Sequence, residues 1–169
     1  MNKPIYDFFT QDHRRIEEIL EEAIKDIDNI DLVLYAKFRI ELLTHIKMEE
    51  KGLFKAAQLA NGDKPIPLAK QLRLEHGAIT SLMVPPPNPD LIKVLKHILE
   101  AHDLKEEEPG GMYDICEKLT KMQTEELLNT VKNFPKTPLH PHKDIPLAWS
   151  AAKRACERAG FNYDEIIRN

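Results

Sequence analysis

Apolar positions recur at alternating intervals of three and four from the start of the chain: Tyr6, Phe9, His13, Ile16, Leu20, Ala23, Ile27 and Ile30, with one polar intruder. That spacing marks a single stripe of an amphipathic helix and predicts a first helix over about Tyr6 to Ile27. A second, about Asp31 to Ala60, places Leu34, Phe38, Leu42, His45, Glu49, Gly52 and Ala56 on one face. A third begins near Pro67, in a tolerated first-turn position, and stops before Pro85-Pro86-Pro87; its seam is Ala69, Leu72, His76, Ile79 and Met83. The fourth starts near Asp90 as N-cap, carries Leu91, Leu95, Ile98, His102 and Glu106, and is interrupted by Pro109-Gly110-Gly111.

Beyond that interruption the pattern predicts shorter helices around Met112 to Leu119 and Thr124 to Asn133. An extended proline-rich stretch runs from Phe134 to Pro146, then a last amphipathic helix from Pro146 to Ala159, closed by Gly160. No segment alternates as a strand would, so the chain is expected to be all-α. The expected architecture is an antiparallel up-down four-helix bundle over residues 1–120. Additional helices over 121–169 form a C-terminal extension, packed on the bundle or on a partner subunit in a homodimer.

Every one of the four apolar seams carries a polar residue that apolar packing does not explain: His13, then His45 and Glu49, then His76, then His102 and Glu106. A buried carboxylate costs several kcal/mol unless it is paired or bound to a cation. Two of the seams share the form His-x-x-x-Glu, at HIKME from residue 45 and HDLKE from residue 102. A spacing of four sets both side chains on one helix face, about 5–6 Å apart at Cβ, so an imidazole and a carboxylate reach the same small cluster. Helical rise also brings His13 and His45 to one level. Fourteen residues, about 21 Å, separate His13 from Ile27, and the same number separates Asp31 from His45.

The residues Phe9 with Asp12-His13, then THIKMEEKGLF, LRLEHGAI and EAHDLKEEE, resemble the hemerythrin family and its HHE cation-binding relatives over residues 5–116. The resemblance implies a di-iron centre with an oxo or hydroxo bridge. Glu49 and Glu106 each span both irons, His13 and His45 bind one, and His76 and His102 bind the other. The same donors suit zinc or manganese. Oxygen-carrying hemerythrins have a second histidine one turn after the third-helix ligand; here that position is Thr80. The substitution implies a more open metal and redox, peroxide or nitric oxide chemistry over reversible oxygen carriage.

Composition narrows the remaining choices. A net charge of −4 and a sequence pI near 6.0 argue against a nucleic-acid or anionic-membrane binder. Two cysteines, Cys116 and Cys156, form neither a CxxC pair nor a disulfide framework. MNKPIYDFFTQDH lacks the apolar stretch of a signal peptide, so the expected setting is cytoplasmic. His97, the His140-Pro-His142 pair, Glu50, Glu75, Glu107 and Glu108 are read as surface residues, and Cys116 as a small buried hydrophobe.

The expected function is that of a hemerythrin-like non-haem di-iron protein that binds or reacts with O2, peroxide or NO, in sensing, storage or detoxification. One alternative is a catalytic di-iron oxidase or iron-handling protein, although such sites favour more carboxylates and a Glu-x-x-His order. The other is a metal-independent helical interaction domain.

Overall fold

A computed structural model describes residues 2–169, and all its regular elements are helical among the described residues. Helix α1 (Pro4–Ala23) buries Phe9, His13, Ile16, Leu20 and Ala23 of the stripe read from the sequence, with Ile5 rather than Tyr6 buried at its start. It ends four residues before Ile27. The Asp26 carboxylate accepts from the Asp28 N–H at 3.1 Å, and the Asp31 N–H returns to the Ala23 carbonyl at 2.8 Å. Side-chain capture of a backbone donor offers the chain an alternative to helix, and Ile27 is left exposed.

The second predicted helix is three pieces in unbroken succession: α2 (Leu32–Lys47), a π-helical turn (Met48–Leu53) and α3 (Phe54–Ala60). Asp31 caps it, accepting from Val33 and Leu34 N–H at 3.0 Å each. A π turn holds an extra residue and rotates the helix on its C-terminal side. The buried face there runs through Leu53, Phe54 and Ala57 instead of the expected Ala56.

Helix α4 (Ala69–Leu82) starts two residues after Pro67, because Leu68 turns the chain at φ 72° and lets Ile66 and Ala69 both enter the core. Helix α5 (Pro89–Glu107) is capped by Asn88, which accepts from Leu91 N–H at 2.8 Å; Pro89, not Asp90, opens it. The shorter helices are α6 (Met112–Leu119), α7 (Thr124–Lys132) and α8 (Pro146–Arg158). A last one, α9 (Tyr163–Arg168), is too short to show a period in the sequence.

The apolar interior falls into two clusters. Helix α1 sends Ile5 and Phe9 into one and Ile16 and Leu20 into the other; α4 divides likewise, with Leu72 in the first and Ile79 and Leu82 in the second. Helices α2 and α5 pack into the second of these clusters alone, through Tyr35, Phe38 and Leu42 and through Leu91, Leu95 and Ile98. The chain enters the first cluster only beyond them, in the π turn and α3 and in α6. In α1 and α4 the buried histidine falls where one cluster gives way to the other, and in α2 and α5 it lies near the C-terminal end of the helix. Helix α8 lies on α4, using the small side chains Ala152, Ala155, Cys156 and Ala159, and α9 packs on α5. The extended stretch between α7 and α8 is strapped to α2: Lys136 pairs with Glu41 at 2.6 Å, and the Thr137 N–H donates to Thr44 Oγ1 at 3.0 Å. No helix among the described residues is long and apolar enough to cross a membrane.

The Pro109-Gly110-Gly111 break is a tight reversal that folds α6 back under α1 and α5. Gly110 has φ 81°, and its N–H donates to the Asp114 carboxylate at 2.8 Å. A Cβ on Gly111 would lie 2.5 Å from the Lys105 carbonyl oxygen and 2.8 Å from that of Glu108, both backbone atoms that cannot swing aside. Gly111→Ala is therefore expected to destabilise the protein by about 2 kcal/mol or more, read as a lowered urea midpoint. A midpoint equal to wild type would show that the turn relaxes freely.

Candidate metal centre

All six candidate residues meet in the polar layer between the two apolar clusters. His13, His45, Glu49, His76, His102 and Glu106 are each at most 5% exposed. Glu49 is the second residue of the π turn, and its carboxylate lies between helices: Oε1 is 3.2 Å from His45 Nε2, and Oε2 is 3.0 Å from His76 Nε2. Glu106 has the same relation to α5 and α1, with Oε1 3.2 Å from His102 Nε2 and Oε2 3.4 Å from His13 Nε2.

Each imidazole presents Nε2 to this centre because its Nδ1 is engaged by a carboxylate on the far side. His13 Nδ1 meets Glu107 at 2.6 Å, His45 meets Asp12 at 2.7 Å, His76 meets Glu50 at 2.9 Å and His102 meets Glu75 at 2.8 Å. With the proton on Nδ1 donated outward, each neutral ring turns an Nε2 lone pair inward. Three of the outer carboxylates are themselves held by cations: Asp12 by Arg15 at 2.8 Å, Glu107 by Arg14 at 2.5 Å, and Glu75 by Lys105 at 2.7 Å. Phe54 lies parallel to His76, and Phe9 stands edge-on to His45, so both rings are also fixed by packing.

Three of these acids correct the sequence reading. Glu75 is fully buried, and Glu50 and Glu107 face histidines, where all three were expected on the surface. The signal was present as a repeat. An acid precedes His13 and His76, and a second acid follows Glu49 and Glu106. Asp103 and Tyr113 were also missed. Asp103 Oδ1 lies 3.7 Å from His13 Nε2, and the Tyr113 hydroxyl donates to Glu49 Oε1 at 2.5 Å. His97 and the His140–His142 pair lie outside the centre, as expected. His97 is exposed against Phe161, and His142 and the His140 carbonyl contact Arg39.

The donor set fits a cation. Glu49 Oε2 and Glu106 Oε1 are buried without a hydrogen-bond donor, and the Nε2 atoms of His76 and His102 face one another at 3.1 Å. Two neutral rings that give their Nδ1 protons outward have no proton for that contact. Four lone-pair atoms from Glu49, His76, His102 and Glu106 thus converge within 4.8 Å, and a second convergence joins His13, His45 and Glu49. These buried groups can hold a metal ion.

No protein-family model, curated protein or solved structure matches this chain.

Without metal, the same crowding moves protons. Burial disfavours charge on His45, but Glu49 and Asp12 outweigh it and raise its pKa to about 10. Burial likewise opposes charge on His102, and Glu106, Glu75 and Glu49 overcome it, lifting the group well above its ordinary value. Burial would raise the Glu75 carboxyl, yet hydrogen bonds from His102, Lys105 and Gln71 bring it down to about 2. Burial pushes Asp103 up to about 6. A metal entering this site therefore displaces protons from imidazoles.

The signs of two of these shifts define a pH window for the metal-free protein. The stability contributed by His45 is complete below its ordinary 6.5 and is lost as the pH rises through about 10. That of Glu75 is complete above its ordinary 4.5 and is lost as the pH falls through about 2. Chelator-treated protein is expected to show its highest urea midpoint between pH 4.5 and 6.5. A midpoint that climbs steadily from 6.5 toward 10 would contradict this charge assignment.

Proposed function

We propose that this chain is a hemerythrin-like non-haem di-iron protein, built as an antiparallel up-down four-helix bundle, that binds or reacts with O2, NO or peroxide. The observation that carries the reading is the doubled arrangement of the centre. Asp12-His13 with His45-x-x-x-Glu49-Glu50 recurs as Glu75-His76 with His102-x-x-x-Glu106-Glu107. Each half contributes two inward Nε2 atoms and one carboxylate that reaches into the other half. Support for the bundle comes from α1 and α4, which each span both apolar clusters, and from α2 and α5, whose apolar residues pack into the cluster that the C-terminal halves of α1 and α4 join.

In this reading His13 and His45 hold one ion, His76 and His102 the other, and Glu49 and Glu106 join them. Imidazole and carboxylate suit iron, and also zinc or manganese; a pair of ferrous ions would supply two electrons to a bound small molecule. The Thr80 hydroxyl donates to the His76 carbonyl at 2.9 Å and adds no donor to the centre. An apolar cavity of about 30 Å³, bounded by Ile16, Leu20, Phe38 and Leu42, reaches His13 and Asp103. That is room for a water or a diatomic molecule and little more, which favours the small-ligand class. Asp12, Glu50, Glu75 and Glu107 keep the rings aimed, and the aromatic walls limit solvent.

Elemental analysis of protein purified anaerobically, with visible spectra before and after O2, NO or peroxide, tests this function. About two irons per chain, with a spectrum altered by one of these molecules, is the expected result. Zinc alone, or iron whose spectrum none of them changes, would reject the redox role. Glu75→Gln, which weakens the acceptor on His102 Nδ1, is expected to lower metal affinity about 10–100-fold in a chelator competition. Unchanged affinity would show that the ring is aimed by packing alone.

A further inference from the structure

The two halves of the centre differ at one aromatic position. Seven residues beyond Glu106 stands Tyr113; seven beyond Glu49 stands Ala56. Tyr113 is fully buried, and its hydroxyl oxygen lies among four donor atoms. They are Glu49 Oε1 at 2.5 Å, Glu106 Oε2 at 3.0 Å, His13 Nε2 at 3.0 Å and His45 Nε2 at 3.3 Å. With the imidazoles neutral, as metal binding requires, one phenol proton has to serve two carboxylate oxygens and two imidazole nitrogens. Atoms that bind one metal ion at about 2.1 Å and at right angles stand about 3 Å apart. The phenol oxygen keeps spacings of that order to all four.

We propose that Tyr113 is a fifth protein ligand, bound through its phenolate oxygen to the metal held by His13, His45, Glu49 and Glu106. The proposal rests on the two-metal reading above. The phenol proton leaves to solvent as the metal enters. The Pro109-Gly110-Gly111 reversal delivers the ring: it turns α6 back so that Met112 and Tyr113 enter the core immediately after Glu106 has left α5 toward the centre. Tyr113 is then wedged against Phe9, His13 and Tyr6. At the His76–His102 position the facing aromatic is Phe54, which has no donor atom.

The consequence is a pair of unequal metals. The His13–His45 position gains an anionic oxygen that the His76–His102 position lacks. Added negative charge at a desolvated ion favours its higher oxidation state, so the first position is the one that holds ferric iron more firmly.

Resonance Raman spectroscopy of the iron-loaded, air-oxidised full chain tests the assignment, with iron content measured on the same samples. The chain has four tyrosines, so two variants bracket the answer: Tyr113→Phe, and a triple variant with Tyr6→Phe, Tyr35→Phe and Tyr163→Phe that keeps Tyr113 alone. Wild type and the triple variant are expected to show tyrosine ring modes enhanced by visible excitation and shifted by ring-deuterated tyrosine. Tyr113→Phe should hold about two irons and lose those modes. Should Tyr113→Phe fail to fold, the modes in the triple variant still assign the ligand. Wild type with two irons and no enhanced tyrosine modes would overturn the ligand assignment and leave the two-metal reading standing, as would enhanced modes that persist in Tyr113→Phe. Wild type that takes up no iron would overturn both.

Discussion

Four hydrogen bonds from imidazole Nδ1 to carboxylates outside the centre set everything else in this molecule. Each fixes a tautomer and an orientation at once, so that four Nε2 atoms converge on Glu49 and Glu106. The inner atoms alone would be an unstable grouping of lone pairs and negative charge in a dry interior. The outer acids make the grouping directional, and Arg14, Arg15 and Lys105 balance three of them, Glu107, Asp12 and Glu75. Charge thus alternates outward from the middle, where Glu49 Oε2 and Glu106 Oε1 are left without a donor.

Two local departures from regular helix adjust this layer. The π turn at Met48–Leu53 aims Glu49 at two histidines and Glu50 at His76. Gly52 lets that turn approach α7, where an added Cβ would come within 3.0 Å of Val131. The second departure is the double-glycine reversal after α5, which sets a phenol against the His13–His45 side alone. A regular helix through either place would carry the same residue types and present a different constellation, because one residue of offset turns a side chain about 100°.

The inner shell was legible in the sequence because its signal is a contradiction: histidine and glutamate on stripes that otherwise read Leu, Ile, Phe. His13, His45, Glu49, His76, His102 and Glu106 stood out for that reason. Helix ends were less legible where a side chain competes for the backbone, as Asp26 does at the end of α1, or where a proline sits within one residue of the true cap, as at Asn88-Pro89. Glu50, Glu75 and Glu107 lay one position off the stripes, where an acid on a solvated face and an acid buried against a neighbouring helix look alike. Tyr113 escaped because its placement depends on a backbone reversal that helical periodicity does not encode. Its neighbours Met112 and Cys116 simply continue an ordinary apolar pattern.

Where cations sit decides whether this polar layer is a metal centre. Crystals of the full chain grown with ferrous iron under anaerobic conditions, with diffraction recorded on both sides of the iron absorption edge, would locate them directly. Two anomalous peaks per chain are expected, one among His13, His45, Glu49 and Glu106 and one among His76, His102, Glu49 and Glu106. A single peak outside this layer, for example at His140 and His142, or no peak between the inner carboxylates, would contradict the two-metal centre.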